Sequence, residues 1–250
     1  MRPGLPASQN EVDVITIRRN REIFETDGGW FHARWHFSFD RYRDPDWTRF
    51  GSLRVFNDDR LVPGADWPMH PHRDIEGLTY VVEGTFRHAD SLGGEYQLLP
   101  AGSAQRMTLG SGAWHSEQNA SDTEPMRFIQ MWIMPRERGL PPSVEQRIFT
   151  REDRTDRLLR IISGAGGDSV LVHQDAAVHV SSLSQGAQVA HESADDGGGY
   201  LYVIQGSVRV NGEGLSTGDA ARIWGEPRIA VEADEPSELI LVEVRLEDGS

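Results

Sequence analysis

The stretch TYVVEGTFRHAD, beginning at Thr79, returns as LYVIQGSVRVNG, beginning at Leu201. Tyr80, Val81, Gly84 and Arg87 recur as Tyr202, Val203, Gly206 and Arg209, always 122 residues on. A glycine turn closes each copy, Pro100-Ala101-Gly102 in the first and Ser216-Thr217-Gly218 in the second. Self-similarity at half the chain length implies two similar units in tandem. The units read as β-structure. Short apolar blocks, bounded by Gly, Pro, Asp and Asn, predict strands at 52–56, 78–82, 85–88, 95–99, 104–109, 127–134, 199–204, 207–210, 220–224, 228–231 and 238–244. Helix signals are scarce, with one short helix expected near 142–147 or 151–160. The proline-rich PRERGLPPSVEQ, from Pro135 to Gln146, marks the connector. The expected layout is a first domain at 1–135, a linker at 136–147 and a second domain at 148–250, each near the ~125 residues that can still bury a core.

His70 and His72 flank Pro71 just ahead of the first repeat. Residues i and i+2 of a strand share a face, so these imidazoles aim at one point, either as metal ligands or as two neighbouring surface histidines. GSGAWHSEQNA supplies a second such pair, His115 and Glu117. Two strands of a closed barrel can bring the pairs together inside it. Three imidazoles and a carboxylate suit Fe, Mn, Ni, Cu or Zn, and the carboxylate makes Fe or Mn apt. Asp74 and Glu76 share the parity of His70 and His72, and Glu76 is the second choice of carboxylate. Trp114 is expected to point away from the site.

Carrying the repeat offset onto the second copy puts Glu192 at the place of His70 and Ala194 at that of His72. The second domain is therefore expected to lack metal, with His191 alone. His32 and His36 lie beside aromatics and read as packing or pocket-rim residues. His88, His173, His179 and His191 read as surface or strand-facing. The acidic stretch 232–247 reads as a solvated strand edge and tail.

Composition removes several function classes. The chain has no cysteine, hence no disulfide, thiolate metal site or cysteine nucleophile. Its 25 basic residues are all arginine, which removes Schiff-base lysines and P-loop chemistry. A net charge of −14 argues against direct contact with nucleic acid or anionic membrane. No run approaches the ~18–20 apolar residues of a membrane span. The first residues show no apolar signal core, so a cytoplasmic protein is expected.

The segment HPHRDIEGLTYVVEGTFRHADS resembles the pirin family. GSGAWHSE, MWIMP, WHFSFDRYRDPDW, GSLRVFNDD and VHQDA carry the same likeness to its bacterial branch. It covers most of the chain and is strongest over 35–147. The resemblance implies an all-β bicupin, two tandem cupin (jelly-roll) barrels. It implies one divalent transition metal per chain, Fe(II) first with Mn, Ni, Cu or Zn as alternatives. The ligands would be His70, His72, His115 and Glu117. It further implies a quercetin 2,3-dioxygenase-like enzyme that opens a flavonol with O2, Glu117 serving as catalytic proton acceptor. The alternative is a non-enzymatic, redox-sensing regulator that binds protein partners. A third option is another cupin reaction, such as isomerisation, on a small polar substrate. Gly77 stands where family members usually carry Thr, a departure in the pocket lining.

Overall fold

The computed structural model describes residues 14–246 except 95 and 195. The chain builds two barrels, each a seven-stranded sheet facing a four-stranded one, antiparallel throughout except where Val170–Leu171 pairs parallel to Leu159–Ser163. In the first barrel the large sheet runs, in spatial order, Ser143–Arg147, Ala104–Thr108, Glu76–Glu83, Met126–Ile133, Leu53–Leu61, Phe31–Trp35 and Phe24–Asp27. Its small sheet runs Asp66–His72, Ala113–Asn119, Thr85–Asp90 and Leu99–Pro100. The second barrel repeats the plan. Its large sheet holds Ile15–Arg18, Ala220–Trp224, Gly197–Gln205, Ser237–Arg245, Ala176–Leu183, Leu159–Ser163 and Val170–Leu171. Its small sheet holds Gln188–Glu192, Arg228–Ala233, Ser207–Val210 and Glu213–Ser216.

The two large sheets pack back to back, which explains the repeat. Tyr80 and Tyr202 point into the shared interface with Phe56, Ile129, Met131, Val178, Ile240 and Val242, while Val81 and Val203 point into their own barrels. Each tyrosine reaches a carboxylate on the other half: Tyr80 donates to Glu238 at 2.8 Å and Tyr202 to Asp58 at 2.6 Å. Arg127 clamps Asp58 with bonds of 2.8 and 2.6 Å, forming a buried ion pair at the interface. The repeated glycine has its own cause. Gly84 and Gly206 sit at φ 80° and 93°, and a Cβ there would come within 2.6 Å of the Pro125 and Pro236 carbonyl oxygens.

Several expectations change. Residues 143–147 form a strand, not a helix, because the free edge of 104–108 offers a backbone ladder that Pro141 and Pro142 leave the chain extended to meet. That strand belongs to the first barrel, so the linker is shorter than expected. Over 151–160 only Glu152–Arg154 coils, as a 3-10 turn. Ile15–Arg18 pairs with Ala220–Trp224, so a strand that precedes the first barrel in sequence belongs to the second barrel's sheet. Of the strand expected at 95–99, Leu99 alone joins the sheet, opposite Phe86, and Glu95 lies outside the described residues. The acidic stretch is no edge, although Glu247 lies outside the described residues. Ser237–Arg245 is a central strand, held by Ile240 and Val242 on one face and Leu239 and Leu241 on the other. Among the described residues no helix is long and apolar enough to cross a membrane.

Candidate metal centre

Asp66–His72 is the edge strand of the first small sheet, which is why it tolerates Pro68 and Pro71. It pairs with Ala113–Asn119 so that His70 lies directly opposite His115. Alternation adds His72 to the same face. The ring centroids are 4.5 Å apart for His70 and His115, 4.8 Å for His70 and His72, and 5.3 Å for His72 and His115. One nitrogen from each ring lies within 4.8 Å of the other two. Trp114, between the ligand positions, faces outward and is 50% exposed.

The donors are prepared for a cation. His70 Nδ1 bonds to the Pro68 carbonyl at 2.7 Å, which fixes the ring and leaves Nε2 free. His115 is 3% exposed, and its buried Nε2 has no hydrogen-bond partner. Burial, reinforced by the neighbouring imidazoles, lowers the pKa of His115 to about 2. Burial and His70 lower that of His72 to about 4. Both rings therefore offer lone pairs at neutral pH. An orphaned buried nitrogen beside two more imidazoles fits a divalent ion bound through nitrogen.

Glu117 stands just outside the tight group of three nitrogens. A register shift between His115 and Glu117 displaces it along the strand. Its Oε1 lies 3.3 Å from His115 Nδ1, and burial raises its carboxyl to about 8. Glu76 is placed elsewhere. It is fully buried at the interface, 3.3 Å from His173 Nδ1 and 3.8 Å from Arg106. Asp74 accepts from the Gly139 N–H at 2.8 Å and holds a turn.

Other histidines also depart from expectation. His88 is buried inside the first barrel, its Nε2 3.0 Å from Asp90, which in turn accepts from the Tyr96 hydroxyl at 2.6 Å. His88 Nδ1 lies 3.2 Å from the Gln105 amide, and its ring centroid is 5.9 Å from that of His115. His36 packs between Phe56 and Tyr202 and meets the Tyr200 hydroxyl at 2.7 Å, a packing role as expected. His179 and His191 are not isolated, their ring centroids being 4.8 Å apart.

The three histidines form one wall of a half-open cavity of about 130 Å³. Trp35, Phe39, Trp67, Phe128 and Trp132 supply flat apolar surface, and Trp132 packs 4.6 Å from His72. Asn57, Asp59 and Gln130 add polar groups from the large sheet. Burial, then Asp58 and Glu117, raises the Asp59 carboxyl well above the usual range. Gln130 is held by the Thr79 hydroxyl at 2.8 Å. These three polar residues were not anticipated. The usable signal was parity, since Asn57 and Asp59 continue the inward alternation of Val55 while Phe56 and Asp58 face the interface.

Comparison with known proteins agrees with this geometry. The Pirin family model matches residues 16–133, and a model described as the quercetinase C-terminal cupin domain matches 160–244. The chain is 40% identical over 232 residues to a quercetin 2,3-dioxygenase of Escherichia coli K12, covering 92% of this chain and 99% of that protein. It is 38% identical over 219 residues to a pirin-like protein of Caulobacter vibrioides, covering 87% and 94%. The E. coli bacterial pirin YhhW in complex with nickel(II) superposes with a TM-score of 0.87 at 38% identity, covering 93% of this chain and all of that one. With both barrels matched across nearly its whole length, the chain belongs to the pirin family of two-barrel cupins.

Proposed function

We propose that the first barrel is a metal-dependent dioxygenase site for a flavonol-like substrate. The observation that carries this reading is three imidazoles converging on the wall of an aromatic cavity. His70, His72 and His115 would hold the ion, and Glu117 would swing in as fourth ligand. Iron(II) is the first candidate, and the nickel(II) complex of the E. coli relative supports nickel as another. The bound ion supplies Lewis acidity that makes a substrate hydroxyl easier to ionise, and a contact for O2.

The protein does the rest. Trp35, Phe39, Trp67 and Trp132 would sandwich a flat polyphenol and exclude water from it. Asn57, Asp59 and Gln130 would bond its hydroxyl and carbonyl oxygens and fix its orientation. Glu117, buried beside His115 and ionised once a divalent cation stands next to it, would accept the hydroxyl proton on a carboxylate oxygen. The names of the 40% identical relatives support the substrate class. The test is quercetin consumption together with O2 uptake by metal-loaded protein, with stripped protein and free ion as controls. Turnover by the loaded form alone is expected. Loaded protein no faster than free ion would overturn the reading in favour of a sensor.

A further inference from the structure

Strand register, rather than the sequence offset, gives the true correspondence between the barrels. Glu117 pairs with His88, and Val231 pairs with Val210 at the same distance after the shared glycine. Two residues along, His115 faces His70 and Ile229 faces His191. His191, not Glu192, therefore holds the place of His70. A slip of one residue reverses a side chain's face, so the correction matters. In the large sheets, Trp132 pairs with Gly77 as Glu243 pairs with Gly199. Gln130 pairs with Asn57 as Leu241 pairs with His179. His191, His179 and Glu243 thus occupy the places of His70, Asn57 and Trp132, three residues that line the metal cavity of the first barrel.

Those three side chains meet. The rings of His179 and His191 are 4.8 Å apart between centroids, and His191 Nε2 lies 3.0 Å from Glu243 Oε2. His179 is 7% exposed, and its buried Nδ1 has no hydrogen-bond partner. Buried nitrogens are normally satisfied, so this free nitrogen beside the His191–Glu243 pair needs an explanation. Glu243 also lines a cleft open to solvent, together with Arg160 and Arg245. The nearby Arg245 is neutralised by Asp175 and Asp196.

We propose that His179, His191 and Glu243 form a second divalent-metal site, at the mouth of the second barrel. Two imidazoles and one carboxylate suit zinc or nickel, with the remaining positions open to water. Among the described residues only His70, His72 and His115 bring three donor atoms within 4.8 Å of one another, so an ion here must draw its three side chains together and should be held more weakly. The inference reverses the expectation that this barrel is metal-free. It does not depend on the dioxygenase reading.

The test uses full-length protein, free of any affinity tag and stripped by chelator. In a His70→Ala, His115→Ala background, equilibrium dialysis against Zn²⁺ should still give about one ion per chain. Adding His191→Ala should abolish it, as should Glu243→Gln. Cobalt(II) should report the same loss through its visible absorption. Were the background variant not to fold, the wild type should bind one more ion than His191→Ala. No Zn²⁺ on the background protein, or equal binding with and without His191, would overturn the proposal. Inactivity towards quercetin would leave it standing.

Discussion

The barrels are built on one plan and differ on the inner face of the small sheet. At five matched places the first barrel has Phe86, His88, His115, Glu117 and Asn119, where the second has Val208, Val210, Ile229, Val231 and Ala233. The second set packs with Leu201, Val203, Leu239 and Leu241 into a closed hydrocarbon core. The first set leaves room for the aromatic cavity, to whose wall His115 and Glu117 contribute polar groups. The features the halves share are those of the backbone and the interface: the same sheet order, the same positive-φ glycine and the same tyrosine facing the other half. Fold is carried by the large sheets and the turns, and chemistry by five or six inward side chains that can be exchanged without altering either.

The largest expected effect tests whether chemistry belongs to the first barrel alone. His70→Ala with His115→Ala should lower quercetin turnover by more than about 100-fold, beyond the ~10–100-fold typical of changes outside the ligand set. His191→Ala should leave turnover unchanged. Equal losses from both would mean that the barrels act together, and steady-state assays at saturating metal decide the point.

Next comes the interface, where matched tyrosines meet unmatched carboxylates. Asp58→Asn leaves Arg127 buried without its countercharge and should cost about 3–5 kcal/mol in urea unfolding. Glu238 is shared by Tyr80 and the more distant Arg154 at 3.6 Å, so Glu238→Gln should cost only roughly 1–2 kcal/mol. Equal costs would show that the interface is energetically symmetric despite its geometry.

What could be read beforehand follows the same division. The convergence of His70, His72 and His115 was legible because strand alternation turns an i, i+2 spacing into a shared face and two paired strands bring such faces together, and the repeat announced the tandem barrels. Asn57 and Asp59 were not, because the polar run after Phe56 reads as the end of a strand until its neighbours are known. The pairing of Ile15–Arg18 with residues some 200 positions away leaves no local trace. The place of His191 was missed because the segments before the two repeats differ by one residue in register. His88 was missed because a histidine in an alternating strand looks the same whether its face meets water or a barrel interior.

His36 offers a smaller effect, readable through pH. Full burial lowers its pKa to about 3, against an ordinary value of 6.5 in the unfolded chain. Below pH 6.5 the unfolded chain takes up a proton that the folded chain refuses, so stability is complete above that pH and falls as pH drops towards 3. One such group loses about 2 kcal/mol between pH 6.5 and 5. His36→Gln should flatten the pH dependence of unfolding by that amount relative to wild type. Other buried histidines contribute to both proteins and cancel in the difference. An unchanged slope would mean that His36 is protonated in the fold.

The smallest effect concerns the repeat itself. Arg87 and Arg209 recur as faithfully as the tyrosines and the glycine, yet both lie on the outer faces of the small sheets. Arg87 touches Gln118 at 3.1 Å and Arg209 touches Asp234 at 3.1 Å, each at the solvent surface. Exposed contacts of this kind are screened by water and offset by the entropy of holding a long side chain still. Arg87→Ala and Arg209→Ala should each leave the melting temperature within experimental scatter, in low and high salt alike. Gly84→Ala and Gly206→Ala should lower it clearly, because each forces a Cβ against a carbonyl oxygen in a backbone conformation that L-residues avoid. A measurable loss from either arginine would mean that the repeat preserves an energetic contact there. A null result from both would show that identity between the halves marks backbone geometry at the glycine, interface packing at the tyrosine, and no stabilisation at the arginine.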